Sequence, residues 1–320
     1  NMESYLRDYF VGHDHVVERV SDIIRRNYAG FQGDRPIGTM LFLGPTGVGK
    51  TELVKVLAGF LFHDRDAIVR IDMSEFREAH SVSRMVGSPP GYVGHGEGGE
   101  LTEQIRRRPY QIVLFDEIEK AHSDVLNLLL QLMDEGSLSD GKGRKVDFSQ
   151  TVVVLTSNLG SDVLEDEVFN ETVDRIGFAS EDKPAFQQSS IPEGTKDKVK
   201  DSAKNYLTPE LWNRLDEKFV FEPLSRSEIK QIAELQLEKS KEKLRRDSKI
   251  ELRFGDDLID YLIDNGGYDP QYGARPMRQT IERNVEVEVA KQILEGTVSE
   301  GDSVTVDANR GEIVCRIEAD

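Results

Sequence analysis

An eight-residue stretch, Gly44–Thr51, has the composition of a phosphate-binding loop. It fits the pattern G-x-x-x-x-G-K-[ST] without a mismatch. Its glycines allow backbone N–H groups to point at phosphate oxygens, and a helix that begins there adds partial positive charge. Lys50 can then reach the β- and γ-phosphates of a nucleotide, and the Thr51 hydroxyl can ligate Mg²⁺. The stretch therefore predicts a magnesium–nucleotide site, whose loop consists of Pro45, Thr46, Gly47, Val48 and Gly49.

Two adjacent acids, Asp116 and Glu117, follow the apolar run Ile112–Phe115. The carboxyl ends of strands in an open parallel sheet face the ligand crevice. Asp116 could hold Mg²⁺ there through water, and Glu117 could orient and deprotonate an attacking water. The alternative is a pair of solvated acids that cap a strand. Together with the phosphate loop, the pair favours nucleotide hydrolysis over nucleotide binding alone.

The elements that would position these residues alternate between strands and helices. Helical patterns cover Thr51–Phe62 and Val125–Met133. Continuous apolar runs, typical of strands covered on both faces, are Met40–Leu43, Ala67–Ile71, Ile112–Phe115 and Val152–Leu155. A fifth run, Lys218–Phe221, could complete the sheet. This order predicts an α/β fold with a parallel sheet.

The stretch 161–200 is rich in Asp, Glu, Ser, Gln and Pro and has no sustained period. We expect a long polar surface excursion there. The excursion lies within a nucleotide-binding subdomain that we assign to residues 1–223.

A second, smaller subdomain is predicted over residues 224–320. Ser225 and Glu228 have the spacing of a capping box, which opens a charged helix to about Arg246. The elements expected after it are a strand at Ile250–Phe254, helices from Asp256 and from Ala274, and a hairpin of Ser303–Val306 and Glu312–Ile317 around a turn at Asn309–Gly311.

Composition excludes several classes of protein. Lys and Arg number 41 against 59 Asp and Glu, a net charge of −18, which makes the chain a poor candidate for binding nucleic acid. No apolar run reaches the roughly 18 residues of a membrane-spanning helix. The single cysteine, Cys315, rules out an internal disulfide framework. It fits a reducing compartment, either cytoplasm or an organelle matrix.

With these motifs in place, the chain resembles the C-terminal AAA+ module of the Clp unfoldases and disaggregases over nearly its whole length. The matching segments are Gly44–Thr51, Arg70–Glu75, Gly87–Gly94, Leu114–His122, Asp140–Arg144, Thr156–Asn158, Asn213–Glu217 and Tyr272–Pro276. The resemblance implies a P-loop NTPase fold with a five-stranded parallel sheet, followed by a small, mainly helical C-terminal subdomain with a β-hairpin. It also implies ATP and Mg²⁺ as cofactors, and a hexameric ring with a central pore.

The resemblance assigns roles to three further polar residues. Asn158 would be a sensor that hydrogen-bonds the γ-phosphate or the attacking water, although an Asn is also common in strand-end turns. Arg214 would be an arginine finger offered to a neighbour's γ-phosphate. Arg275 would be a second sensor that binds phosphate from across the subdomain junction. Arg214 could instead form a surface ion pair, and Arg275 could be a solvated arginine at the start of a helix.

Four small or apolar residues fall where the family packs the adenine ring. They are Val11, Gly12, Ile37 and Gly38. This expectation rests on the resemblance alone, because short apolar-glycine pairs are not specific.

Two loops would face the pore. Gly91–Gly94 places Tyr92 and Val93 between glycines, and in the family this loop grips the translocating chain. An aromatic ring can press on any side chain without sequence specificity. The alternative is a tyrosine folded onto its own domain. Asp140–Arg144 is expected to be a second pore loop.

The tripeptide Ile176, Gly177 and Phe178 lies in the polar excursion. It resembles the segment by which proteolytic Clp ATPases dock into their peptidase. The alternatives are a packing anchor and a disaggregase that works without a peptidase.

The function expected from these features is ATP-dependent unfolding and threading of polypeptide. A nucleic-acid motor on the same core is the alternative, but Tyr92 is followed by His95, Glu97 and Glu100 rather than by a basic stripe. A third possibility, a scaffold that binds ATP without turnover, conflicts with the intact Lys50 and Glu117. Since only about ten residues precede Val11, we also expect a fragment or a minimal single-ring relative, whose isolated assembly is weak.

Overall fold

A computed structural model of the chain describes residues 1–78, 80–88, 98–167, 191–269, 272–309 and 311–318. These residues form two compact units. Apart from Thr46–Val48, which group with the second unit, the described residues up to Glu222 make the first unit, and those from Pro223 onward make the second.

The first unit is built on a five-stranded sheet in which every pairing is parallel. The strands of this unit are β1 (Gly38–Leu43), β2 (Ile68–Asp72), β3 (Ile112–Asp116), β4 (Ser137–Ser139), β5 (Lys145–Asp147), β6 (Val152–Ser157) and β7 (Glu217–Val220). The sheet order is β2-β3-β6-β1-β7, and β4 and β5 form a separate antiparallel pair. The predicted parallel sheet is confirmed, including its fifth strand.

Nine α-helices are described in the first unit, and at least one lies between each pair of sheet strands that are consecutive in sequence, although the β4–β5 pair also precedes β6. They are α1 (Met2–Tyr9), α2 (Asp14–Arg26), α3 (Lys50–Phe62), α4 (Ser81–Val86), α5 (Glu100–Arg107), α6 (Ser123–Glu135), α7 (described over 161–167), α8 (Glu193–Tyr206) and α9 (Pro209–Arg214). Short 3₁₀ turns cover Met73–Glu75 and Ile118–Lys120, and a π-helical turn covers Asn27–Phe31.

The central strands β1 and β6 are buried at every position because both faces of the sheet are covered. Alternate residues, such as Leu41 and Leu43 in β1, belong to one core with α6 and α9, while Met40 and Phe42 are equally buried on the other face. Continuous apolar runs are the pattern that burial on both faces requires.

The prediction of an irregular excursion over 161–200 is wrong at both of its described ends. Residues 161–167 belong to α7, and Glu193–Tyr206 form α8. Leu164 of α7 and Val199 of α8 are completely buried in the core of the first unit. Each helix buries only a narrow stripe, so the charged remainder hides the helical period in the sequence.

The second unit combines four helices with a three-stranded sheet in its described residues. Its elements are α10 (Arg226–Ser248), β8 (Glu251–Phe254), α11 (Leu258–Leu262), α12 (Met277–Ile281), α13 (Val287–Leu294), β9 (Ser303–Asn309) and β10 (Glu312–Glu318). The sheet order is β10-β9-β8, and β9 and β10 form the predicted antiparallel hairpin. The capping box is also confirmed, with Ser225 N–H donating to the Glu228 carboxylate at 2.7 Å.

Two helices of the second unit begin later than predicted. The helix expected from Asp256 begins at Leu258, and the one expected from Ala274 begins at Met277. In the second case Arg275 precedes Pro276, and a residue before proline is disfavoured in the helical conformation. The Arg275 N–H instead donates to the Tyr272 carbonyl at 3.2 Å in a turn.

Candidate active site

The phosphate loop lies between β1 and α3, as the sequence predicted. Gly44 has a φ of 138° and Gly49 a φ of 112°, values that side-chain-bearing residues rarely adopt. A Cβ atom on Gly49 would stand 2.9 Å from the Phe10 ring, and one on Gly44 would stand 2.4 Å from the Phe221 carbonyl oxygen. Both positions therefore require glycine for conformation and for space.

Lys50, the first residue of α3, is buried at 9% exposure. Its ammonium donates to the carbonyls of Gly44 and Pro45, the latter at 3.0 Å. It also donates to the Asn158 Oδ1 at 2.9 Å and reaches the Ser157 carbonyl at 3.4 Å. Lys50 thus connects the loop after β1 with the end of β6, the neighbouring strand.

Burial lowers the pKa of Lys50 to about 8. The carboxylates of Glu119, Asp116 and Glu117 oppose this shift, in that order of strength. A buried ammonium surrounded by three acids marks this end of the sheet as the charged centre of the unit. Perturbed groups of this kind cluster at functional sites.

Asp116 ends β3 and is held from both neighbouring strands. Arg70 of β2 donates from Nε at 3.1 Å to its Oδ2, and Thr156 of β6 donates to its Oδ1. The side chain is only 16% exposed. Two donors therefore fix the carboxylate at the carboxyl edge of the sheet, where the sequence predicted it.

The residues suit Mg²⁺ with ATP. Asp116 and Thr51 offer oxygen ligands, which magnesium prefers, and Thr51 directly follows Lys50 at the start of α3. Among the described residues no group of three His, Cys, Asp or Glu could hold a metal ion. Magnesium bound with a nucleotide is usually held by one or two side chains together with phosphates and water.

Glu117 occupies a strained backbone conformation, with φ 57° and ψ 54°. Such left-handed geometry costs a non-glycine residue about 1–2 kcal/mol and is commonly found at functional sites. Its N–H donates to the Thr156 Oγ1 at 3.2 Å, and its carboxylate forms an ion pair with Lys120. Thr156 therefore orients both acids, since its hydroxyl also donates to Asp116.

Asn158 follows β6 and joins the same cluster. Its Oδ1 accepts from Lys50, and its N–H donates to the Glu119 Oε1 at 3.3 Å. The other carboxylate oxygen of Glu119 is buried and has no hydrogen-bond partner among the described residues. The structure thus brings Lys50, Asp116 and Asn158 together, as predicted.

Four contributors to this cluster were not assigned a role from the sequence: Arg70, Thr156, Glu119 and Lys120. All four lie in segments that resemble the Clp modules, which was the available signal. Their roles depend on which strands are neighbours in the sheet, and the segments alone do not give that order.

Arg214 lies elsewhere in the first unit. It ends α9, and its carbonyl accepts from the Thr39 Oγ1 at 3.1 Å, at the amino end of β1. Lys50 bonds instead to Gly44, past the carboxyl end of the same strand. Gly44 lies five positions after Thr39, which corresponds to about 16 Å of extended strand. The structure therefore does not bring Arg214 together with the phosphate loop of its own chain.

Comparisons with known proteins fit this geometry. The AAA domain family (Cdc48 subfamily) matches residues 35–218, which is more than half of the chain. The chain belongs to the AAA family. Residues 224–306 match the C-terminal, D2-small domain of the ClpB protein. This order confirms the predicted resemblance to a C-terminal Clp module, and with it an ATPase that uses ATP and Mg²⁺.

Several curated relatives are chaperones named ClpB. The one from Rickettsia bellii is 47% identical over 317 residues, which cover 99% of this chain and 34% of that protein. The one from Vibrio cholerae is 48% identical over 98% of this chain and 34% of its own length. The mitochondrial ClpB3 of Oryza sativa is 47% identical over 96% of this chain and 30% of its own length. The AAA chain thus spans about a third of the relatives it matches.

The predicted adenine residues of the AAA chain divide into two groups. Val11 and Gly12 lie between α1 and α2, next to Phe10, whose ring packs beside Gly49 of the phosphate loop. The neighbouring His13 is buried, with its ring 4.8 Å from that of Phe221. Val11 and Gly12 therefore lie near the phosphate loop.

Ile37 and Gly38 lie at the other end of β1. Gly38 pairs with Val152, the first residue of β6, and Ile37 is fully buried there. The structure corrects this part of the adenine prediction, because a strand's length separates these residues from the phosphate loop. The local sequence pattern identifies an apolar-glycine pair, but it does not show at which end of a strand the pair lies.

The remaining predicted sites are described only in part. Tyr92 and Val93, and Ile176, Gly177 and Phe178, lie outside the described residues. Arg275 is exposed in the second unit. No helix in the described part of the chain is long and apolar enough to cross a membrane.

The loop Asp140–Arg144 is a tight turn between β4 and β5. Both oxygens of Asp140 are engaged, Oδ1 by the N–H groups of Lys142 and Arg144 at 2.9 Å, and Oδ2 by Arg144 Nε at 2.7 Å. Burial acts to raise the pKa of Asp140, but these hydrogen bonds outweigh it and lower the pKa. The Asp140 side chain thus joins three donors within the turn.

Proposed function

We propose that this AAA chain is the ATP-hydrolysing module of a ring-shaped unfoldase that threads polypeptide through a central pore. The observation that carries the proposal is the separation of Arg214 from Lys50 along β1. An arginine finger this far from its own phosphate loop can serve only the loop of a neighbouring copy. Hydrolysis would then depend on a ring, in which each copy offers Arg214 to the next.

The buried cluster supplies the chemistry within each copy. When bound, ATP with Mg²⁺ provides the phosphoanhydride bond to be cleaved. Lys50 would exchange its loop carbonyls for the β- and γ-phosphates, and Asp116 with Thr51 would hold the metal. Glu117 would take the proton of the attacking water, and Asn158 would orient that water or the γ-phosphate. Arg275 and the pair Val11 and Gly12 stay assigned to phosphate and adenine.

Protein, rather than nucleic acid, is the proposed cargo. The net charge of −18 disfavours a phosphate-binding track, and the relatives reported above are named as chaperones. Tyr92 and Val93 would grip the polypeptide. The turn Asp140–Arg144 supports a second pore loop, because Gly141 N–H donates at 2.8 Å to Val86, six residues before Tyr92. Ile176, Gly177 and Phe178 stay proposed for docking to a Clp peptidase.

The proposal includes a reducing compartment as the location of the chain. Two relatives, from Oryza sativa and Arabidopsis thaliana, are named as mitochondrial. We place this chain in the cytoplasm or an organelle matrix, where the thiol of Cys315 stays reduced.

The test is the ATPase rate per chain measured against protein concentration, with and without a permanently unfolded polypeptide. We expect the rate to rise with concentration and to respond to the polypeptide. The Glu117→Gln variant should still bind ATP while hydrolysing it about 10²- to 10⁴-fold more slowly. A rate that is independent of both concentration and polypeptide would overturn the proposal of a ring motor.

A further inference from the structure

The guanidinium of Arg214 is held by an acid on another helix. Its Nε lies 2.7 Å from the Oδ1 of Asp134, in the last turn of α6. Among the described residues, none accepts a hydrogen bond from the terminal nitrogens Nη1 and Nη2 of Arg214. Arginine binds phosphate with these donors of its fork. The contact with Asp134 therefore fixes the direction of the side chain and leaves its phosphate-binding nitrogens without an acceptor in the described part of the chain.

The helix that carries Asp134 is itself fixed against α9. Arg35 donates from Nε to the Met133 carbonyl at 2.9 Å and from Nη2 to the Arg214 carbonyl at 2.7 Å. One guanidinium thus joins the carboxyl-terminal carbonyls of two helices, where a cation is favourable. Arg35 sets the separation between the backbone of Arg214 and that of Asp134.

Two further contacts locate these helix ends. Gly136, which ends α6 with a φ of 60°, approaches the Asp34 carbonyl so closely that a Cβ would stand 1.7 Å from its oxygen. Beyond Arg214, the Asp216 Oδ2 accepts from the Thr39 N–H at 2.8 Å and from the Thr39 Oγ1 at 3.0 Å. The backbone around the finger is therefore tied to the amino end of β1.

The ion pair between Asp134 and Arg214 is half exposed, with side-chain exposures of 34% and 50%. Pairs this exposed contribute little to stability. Its consequence is geometric, because a long side chain that would otherwise sample many rotamers is held in one direction. Misplacement of a reacting group by about 1 Å can cost about a hundredfold in rate.

We infer that Asp134 is a positioning residue for Arg214, which it presents to the ATP bound by a neighbouring copy. The inference rests on the proposed function, since it needs Arg214 to act between copies. Beyond that function, the inference assigns a role to Asp134 on α6 and to Arg35, which binds the end of that helix. In this role Asp134 contacts neither the nucleotide nor the attacking water.

The test compares steady-state ATPase rates at a concentration at which the wild-type rate per chain has already risen. Asp134→Asn should lower the rate about tenfold or more. Asp134→Glu, which keeps a carboxylate, should recover part of the loss. Glu135→Gln is the matched control, because Glu135 is the exposed acid beside Asp134 on the same helix, and it should leave the rate unchanged.

A double-mutant comparison separates positioning from a general structural defect. Arg214→Ala should lower the rate about a thousandfold, and adding Asp134→Asn to it should have no further effect. The urea midpoint of Asp134→Asn should match that of the wild type. An unchanged or raised rate in Asp134→Asn, or a further loss in the double variant, would refute the role of Asp134. If Arg214→Ala is itself harmless, or the wild-type rate does not rise with concentration, the proposed ring mechanism fails and the inference fails with it.

Discussion

The two ends of β1 carry two charged sites of different construction. At the carboxyl end, Lys50 and Asp116 are largely buried, and the chain itself supplies a partner for each of them. At the amino end, the Arg214 side chain is half exposed, and of its guanidinium nitrogens only Nε is engaged by the described residues. The first site is organised within one chain. Under the proposed mechanism the second is half of a site, whose other half is the phosphate loop of another copy.

This difference separates binding from turnover. A single copy contains the residues that we propose hold the nucleotide, so binding should need no partner. Fast hydrolysis should need a second copy under the proposed mechanism, because Arg214 lies about the length of β1 from its own loop. Coupling of this kind makes hydrolysis conditional on assembly.

The largest expected effect comes from a substitution that disables only the site at the carboxyl end of β1. Lys50→Met should weaken ATP binding by two orders of magnitude or more, measured with a fluorescent nucleotide analogue, because the buried charge on the phosphates is lost. A control at the other end, Arg214→Ala, should bind nucleotide as the wild type does. Equal loss of binding in both variants would contradict the separation of the two sites.

The same variant makes a prediction about stability. The pKa of Lys50 is about 8 in the folded chain against 10.5 ordinarily, so the unfolded chain binds more protons between these values. The stability of the wild type should therefore rise with pH from 8 towards 10.5, and the cost of the buried charge is present in full below pH 8. Lys50→Met lacks this titration, so its free energy of unfolding relative to that of the wild type should fall by about 3 kcal/mol between pH 8 and 10.5. Urea unfolding without nucleotide measures both values. A difference that does not change with pH would mean that Lys50 is not buried as a cation.

A smaller effect is expected from substitutions of Glu119, in the same buried cluster as Lys50. Glu119→Ala should lower the turnover number about tenfold, because the Asn158 N–H loses its acceptor and the sensor loses its orientation. Glu119→Gln keeps an acceptor oxygen at the same place and should retain most of the activity. If the two variants lose activity equally, the charge of Glu119 matters rather than its hydrogen bond to Asn158.

The sequence predicted the carboxyl end well because its motifs are local. Gly44–Thr51 determines its own backbone shape, and an apolar run before Asp116 identifies the strand that carries it. Chain order then places both at one edge of a parallel sheet. The contacts of Arg70 and Thr156 with Asp116 depend on the order β2-β3-β6, which no local pattern contains.

The amino end was harder to predict for the same reason. Asp134 and Arg214 are 80 residues apart in sequence, and only the packing of α6 against α9 joins them. Ile37 and Gly38, expected at the adenine, lie instead at the amino end of β1, and an apolar-glycine pair alone does not give this position. The helices α7 and α8 were missed because their buried stripes are narrow among many charges.

The most direct test of the central claim is to mix two variants that are each inactive alone. Arg214→Ala keeps an intact ATP site but offers no finger, and Glu117→Gln offers a finger but cannot hydrolyse. Random assembly of a closed ring would join an intact site to an intact finger at about one interface in four. We predict that an equimolar mixture recovers about a quarter of the wild-type ATPase rate. A mixture that is no more active than its separate components would contradict the account.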